Sequence, residues 1–423
     1  MKSGMKSGKR TLVLGVALAV AGATLAVVQA QGKTQMEFYT TSLQTFADFF
    51  NPLVDRYEKA NASVNLKWTD LPQNAIQQKV LATVAAGNPP DAVQLNKSQI
   101  IELAQQGALL ALNDLLDAKT LKLYQATPLS AFTLEGKIYA LPDYTTPRVI
   151  AYNPEILKKA GISTSSLPRT IPGILELAKT IKDKTGIYGF IPNIGGTNML
   201  QVFQEAGLPI LDAKGTKAQF NSPSHVALLQ QYVDFRKKDY IPEDTMRRGF
   251  NGAYELYTAG KLGFMIIGTS FIKRLETDNN ALWKTTIVAQ HPVGLGNVVQ
   301  SSTFGMAVPK GVKNPKAAAA LAHFLTSDET QLAFSQRTAG GTFPTTVKAA
   351  ADPFFTKSGT TTNDAARLAA AKTVRNAKEL SITVPNASTL TTAFKDNIEA
   401  AIFGQKTAKQ ALDDAVKVWN ANL

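Results

Sequence analysis

From residue 35 to Gly107 the chain switches repeatedly between two hydrophobic periods, and no other feature of the sequence restricts its fold as much. Residues 35–39 alternate apolar and polar, the pattern of a strand. Phe46, Phe49, Phe50, Leu53, Val54 and Tyr57 then fall three and four apart, one apolar face of a helix. Pro52 starts or kinks that helix, because proline is tolerated in a first turn and costly further in. Residues 64–68 alternate again, residues 74–86 are helical up to Gly87-Asn-Pro-Pro90, and residues 92–95 form a third short strand. A helix through Ile100, Ile101 and Ala104 ends at Gly107. This order predicts an α/β fold with a mostly parallel sheet covered by helices on both faces. Ligands of such sheets bind at the loops beyond the strand carboxyl ends, here residues 40–44, 69–73 and 96–98.

The alternation resumes after Tyr144. Residues 148–152 read as a strand, Asn153-Pro154 caps a helix that stops at Gly161, and residues 171–184 and 227–238 are helical. Residues 261–267 form a buried strand, with 268–270 as the turn after it, and residues 304–308 form another strand. Asn314-Pro315 caps a helix carrying Leu321, Phe324 and Leu325, and two helices broken at Gly404 close the chain. Residues 357–363, rich in Ser, Thr and Gly, are expected to be a mobile loop.

Lys2, Lys6, Lys9 and Arg10 precede an uncharged apolar run, and Val28-Gln29-Ala30 supplies small residues where a signal peptidase reads. Residues 1–30 are therefore expected to be a signal peptide, cleaved after Ala30, which places the protein in the periplasm or outside the cell. Retained, the run of about 18 residues would be an anchor. The chain has no cysteine, so an exported protein of this length must be held by core burial alone. Net charge is +13, four of it within residues 1–30, and the basic residues are scattered. No basic block of the kind that binds nucleic acid is present.

The chemistry of the common enzymes is missing from the pattern. His225, His291 and His323 are not at metal-binding spacing and read as structural or surface residues, so no metal or cofactor is expected. No G-x-S-x-G or H-E-x-x-H occurs, and Glu255 stands where a P-loop ending in Gly260-Lys261 would need glycine. Asp413-Asp414 reads as a solvated helix face. A glycosidase with two distant carboxylates remains open on these grounds.

Several segments, in order, resemble the bacterial extracellular solute-binding proteins of family 1, the maltose-binding-protein-like components of sugar ABC importers. They are Ala85-Ala-Gly-Asn-Pro-Pro-Asp91, Gly136-Lys-Ile-Tyr-Ala-Leu-Pro142, Tyr152-Asn153 with Lys159-Ala-Gly-Ile162, Leu167-Pro-Arg-Thr170, Gly260-Lys-Leu-Gly-Phe-Met265 with Gly268, and Asn314-Pro-Lys-Ala-Ala318 with Phe324-Leu-Thr-Ser327 and Pro344. The resemblance implies two α/β lobes, each a mostly parallel sheet flanked by helices, in the manner of type II periplasmic binding proteins. They would be joined by segments crossing near residues 146–150, 301–304 and 341–344. The first lobe would hold residues 31–147 and 303–342, the second 148–302 and 343–423. A monomer of this kind would close on a small carbohydrate and deliver it to a membrane permease without bond chemistry. A phosphorylated polyol such as glycerol 3-phosphate is the alternative ligand. A secreted carbohydrate-active enzyme and a chemosensory role are the alternative functions.

Sugars need flat apolar faces against ring C–H groups and dense hydrogen bonding to hydroxyls. The resemblance places Tyr39, Gln44, Asn96, Tyr144, Ser270, Arg337 and Gly341 on cleft loops, with Gly195 and Asn198 on another. Ser270 stands where maltose binders carry tryptophan, so Phe271 or Trp68 is expected to substitute as a stacking platform. Tyr39 reads equally as core and Asn96 as a helix cap. Arg337 either clamps an acidic group or ends a helix.

Overall fold

The computed structural model describes residues 32–196, 198–382, 384 and 387–423. The expected signal peptide and the cleavage after Ala30 lie outside the described residues. The strand Thr34–Thr41 pairs in parallel with Val64–Leu71 on one side and Ala92–Asn96 on the other. Its alternation sends Met36 and Phe38 to one face, where the helix Ala47–Ala60 buries Phe50, Leu53 and Tyr57. Tyr39 goes to the opposite face with Val93 and Leu95, under Ile76 and Val80 of one helix and Ile100 and Leu103 of the next. Helices therefore cover both faces, and Pro52 lies inside the first of them.

Beyond these three strands the expectation of mostly parallel sheets needs correction: the sheets are mixed. The strand Ala140–Tyr152 runs antiparallel to Val299–Ala307, from Ala140 opposite Ala307 to Pro147 opposite Ser301. Its second half, from Arg148 onward, leaves that partner and pairs antiparallel with Phe264–Gly268 and Ile287–Gln290. Val299–Ala307 pairs antiparallel with Ala92–Asn96 and, at its start, in parallel with Ala377–Lys378. Phe343–Pro344 lies antiparallel along Thr145 and Tyr144. The reason is topological. Two of these strands pass between lobes in opposite directions, so they meet each other reversed.

The cores follow this division. Two buried clusters draw on residues 36–144 and 304–334. Two others draw on residues 149–283 and 343–419, one on each face of the second sheet. Ile150, Tyr152 and Phe264 face helices that include Ile171–Thr185, Pro223–Lys237 and the C-terminal pair Ala387–Ile402 and Ala408–Asn420. Trp419 is buried there, edge-on to Phe220, with its indole N–H donating to the Leu390 carbonyl at 2.8 Å. Residues 268–270, expected as a turn, instead start a helix: Gly268 is the N-cap of Thr269–Asp278.

The first crossing strand is irregular at one point. Its register shifts between Pro142 and Tyr144, and Asp143 at that bulge is buried, with the Gln94 amide donating to its carboxylate. Burial pushes the Asp143 carboxyl up to about 7, against the opposing effect of the Gln94 hydrogen bond. Its folded value lies above its unfolded one, so its contribution to stability is complete at low pH and is lost as pH rises through about 7. Asp143→Asn stays neutral throughout. Urea denaturation at several pH values should show the variant gaining about 2 kcal/mol on the wild type between about pH 5 and pH 8. Parallel curves across that range would show that Asp143 is ionised in the folded protein.

Candidate functional site

Where the crossing strands enter the second lobe they form one wall of a cavity of about 410 Å³, within the range of small-molecule sites. Thr146 and Arg148 come from one crossing strand and Ser302 from the other. Ile174 and Leu175 of the helix Ile171–Thr185, Val202 and Glu205 of Asn198–Glu205, and Leu228 and Tyr232 of Pro223–Lys237 also line it. Most of the lining is apolar.

An aromatic corner closes one end. The helix Glu243–Thr258 breaks at Gly249, whose φ of 57° and ψ of −141° suit a residue without a Cβ. The break precedes Phe250, whose ring meets Phe271 edge-on with centroids 4.7 Å apart. Both rings line the cavity and both are only half-buried, so each keeps a face available. At the rim, Gly294 and Gly296 press against the end of the helix Asn198–Glu205. A Cβ at either would lie 2.3 Å from a helix carbonyl oxygen. Leu295 between them is 96% exposed at the mouth of the cavity.

The polar part of the wall is compact. Burial lowers the Arg148 guanidinium below its ordinary range, opposed by the nearby Glu205 and Glu379 carboxylates. Its side chain makes no hydrogen bond or ion pair with the described residues. Burial raises Glu205, offset by the Gln300 N–H it accepts at 2.8 Å and then by Arg148. His291 is buried and held near 4 by desolvation, so it is neutral at ordinary pH. Its Nδ1 lies 2.6 Å from the Pro292 carbonyl, which can only accept, so Nδ1 carries the proton and Nε2 is left as an acceptor. Tyr232 is buried on the same wall, its hydroxyl pushed well above the ordinary tyrosine range by desolvation and then by Glu205.

The residues expected from sequence are distributed unevenly around this cavity. Ser270 and Phe271 line it. Asn193, on the same loop as the expected Gly195 and Asn198, lines it too, and Asn198 braces that loop by donating to Asn193 Oδ1 at 3.1 Å and the Gly195 carbonyl at 2.8 Å. Gly341 lies just behind: its carbonyl accepts from the Thr269 hydroxyl at 2.8 Å, and a Cβ there would stand 3.2 Å from Ser270 Cα. The remaining six residues lie away from the cavity lining. Tyr144 is buried in the first lobe, its ring 5.2 Å from Phe304 and 5.6 Å from Phe334. Tyr39 is core. Trp68 stacks on Phe50 at 4.8 Å and donates to the Thr40 hydroxyl at 2.8 Å. Asn96 caps its helix in a capping box with Gln99. Arg337 pairs with Asp48 at 2.9 Å over the Phe46 ring. Gln44 is exposed, its backbone N–H bound to Asp70 at 3.1 Å.

Sequence reasoning missed Arg148, Glu205, Tyr232 and Phe250, and it read His291 as structural or surface. Two of these carried a signal. Arg148 is the single charge at the head of an apolar strand, and Glu205 follows Met199, Leu200 and Phe203 on the buried face of its helix.

Comparison with known proteins agrees with this architecture. The pattern of the bacterial extracellular solute-binding proteins matches residues 42–332. The diacetylchitobiose binding protein DasA of Streptomyces coelicolor is 27% identical over 215 residues, 49% of this chain and 49% of its own length. Against that protein the chain spans about half of the relative, and it spans 46% of an arabinooligosaccharide-binding protein of Halalkalibacterium halodurans, 23% identical. The sn-glycerol-3-phosphate-binding periplasmic protein UgpB of Pectobacterium atrosepticum is 22% identical over 98% of this chain and 97% of its own. Among solved structures, a Synechococcus sp. MITs9220 periplasmic-binding protein, provisionally described as oligosaccharide-binding, superposes with a TM-score of 0.80 at 25% identity, covering 91% of this chain and 98% of that one. The ABC substrate-binding protein Lmo0181 of Listeria monocytogenes, solved with cycloalternan, gives 0.75 at 19% identity over 92% and 98%. With two lobes joined by paired crossing strands, and that pattern over residues 42–332, the chain belongs to the bacterial extracellular solute-binding proteins.

Proposed function

We propose that this protein is the ligand-binding component of an ABC importer, working outside the cytoplasm, and that it captures a small carbohydrate and hands it unchanged to a membrane permease. The observation that carries this reading is the cavity of about 410 Å³ against the crossing strands, with the Phe250–Phe271 corner on one side and Arg148, Glu205 and His291 on another. Aromatic faces suit the C–H faces of a pyranose, and the polar wall suits its hydroxyls. The protein acts as a monomer, with lobes of residues 31–147 plus 303–342 and 148–302 plus 343–423. Closure is a rotation about the crossing strands. Relatives whose names specify diacetylchitobiose and arabinooligosaccharides support the ligand class. A second reading, a phosphorylated polyol, is favoured by the near full-length match to a sn-glycerol-3-phosphate-binding protein.

Thermal-shift screening against mono- and disaccharides, diacetylchitobiose and sn-glycerol 3-phosphate tests the proposal, because a ligand of the native state raises apparent stability. A carbohydrate should raise the melting temperature in a concentration-dependent way and be recovered unaltered. Turnover of that sugar would make the protein an enzyme instead. Phe271→Ala should weaken binding of the same sugar by about 1–3 kcal/mol in calorimetry. Unchanged affinity would mean that the ring does not touch ligand.

A further inference from the structure

The polar wall contains an imbalance that a ligand would resolve. Arg148 has five N–H donors and no partner among the described residues. Glu205 has one oxygen on the Gln300 N–H, and its other oxygen takes no hydrogen bond from the described residues. His291 offers a lone pair at Nε2, since Nδ1 is committed to Pro292. Of these three groups, one only donates and two only accept. A hydroxyl does both, so it can accept from Arg148 while donating to Glu205 or to His291. A phosphate or carboxylate only accepts, so it would satisfy Arg148, leave both acceptors unmatched and bring its charge against Glu205.

The charges point the same way. Arg148 lies in the field of Glu205 and of Glu379, and Glu379 in turn lies in the field of Lys97. Glu379 is held by the Gln300 amide and the Thr303 N–H, each at 3.0 Å. Lys97 Nζ donates to the Ser381 carbonyl at 2.9 Å. Among the described residues Arg148 is the cation that lines the cavity and it already has two carboxylates beside it, while Lys97 and Lys378 are outside the lining, so an anionic ligand would meet a cation whose charge is already offset. Burying an uncompensated charge is unfavourable by several kcal/mol.

We infer that Arg148, Glu205 and His291 form a subsite that reads adjacent hydroxyls of a neutral sugar ring, and that this protein discriminates against sugars and polyols bearing an acidic group. The inference rests on the proposed carbohydrate site and names which carbohydrates enter it. Arg148 is the double donor, Glu205 and His291 are the acceptors, and the Phe250–Phe271 corner takes the apolar side of the ring.

Calorimetry on the full-length mature protein tests this with glucose, maltose, cellobiose and diacetylchitobiose as neutral probes, and glucuronate and sn-glycerol 3-phosphate as acidic ones. At least one neutral probe should bind, with affinity changing less than about threefold between about 50 mM and 500 mM salt. The acidic probes should bind about 100-fold more weakly or not at all. Arg148→Lys, which replaces a planar fork with a point charge, should lower the neutral affinity about tenfold. Glu205→Gln keeps an oxygen for the Gln300 N–H and turns the free acceptor into a donor. It should weaken the neutral probe about tenfold and shift the ratio of affinities toward glucuronate. A variant that fails to fold is replaced by the probe comparison on the wild type, which needs no substitution. Tighter binding of glucuronate or glycerol 3-phosphate than of every neutral probe, or wild-type affinity in both variants, overturns the inference while leaving a ligand-binding protein. Binding of no probe of either kind removes the carbohydrate reading itself, and the subsite with it.

Discussion

The backbone ladder between the two crossing strands is the constraint on which the rest depends. Ala140–Pro147 and Ser301–Ala307 are hydrogen-bonded along their shared length, and beyond it each strand enters the second lobe with new partners. The lobes therefore share a sheet element as well as a chain connection. The last shared pair is Pro147 opposite Ser301. Proline has no N–H to give the ladder, so the pairing is weakest at the point where the strand changes partners. Thr145 and Ser301 hydroxyls, 2.5 Å apart, tie the strands just before that point. Under the proposed closure, that point is where rotation of one lobe against the other would meet least resistance. Arg148 is the next residue, which puts a cavity-wall cation at the pivot.

Much of the first lobe was legible because its strands and helices keep strict periods. Residues 35–39, 64–68 and 92–95 alternate cleanly, and the helix from Phe46 to Tyr57 repeats at three and four. The crossing strand was only half legible. Residues 148–152 read as a strand, but residues 140–147 carry Pro142, Asp143 and Pro147, which read as breakers. Proline is tolerated at both places for a local reason: Pro142 adjoins the bulge, and Pro147 stands where partners change. Antiparallel pairing was invisible for a different reason, since direction is decided by which distant strand arrives, not by local pattern.

The site was less legible than the fold because most of its polar residues are defined by what they lack. Ser270 and Phe271 follow a strand and could be placed from order alone. Asn96 and Arg337, equally plausible in sequence, are consumed by a capping box and by Asp48. Arg148, Glu205 and His291 matter because they keep unused hydrogen-bonding capacity in a cavity, a property of three-dimensional surroundings. A single charge heading an apolar strand is the nearest sequence correlate of such a residue.

Gln300 shows how the fold maintains that unused capacity. Its backbone N–H goes to Glu205, its side-chain amide N–H to Glu379, and its side-chain oxygen accepts the Leu380 N–H at 2.8 Å. One buried residue on the second crossing strand thus fixes both carboxylates near Arg148 without letting either close into an ion pair with it. A closed pair would satisfy the guanidinium and leave the cavity wall inert. Held apart, the groups stabilise one another through the low-dielectric interior, which offsets their desolvation, and the Arg148 donors and one Glu205 oxygen keep their hydrogen-bonding capacity. Arg148, Glu205, Gln300 and Glu379 all lie on the second lobe's side of the Pro147–Ser301 pair, so their mutual arrangement is set within that lobe.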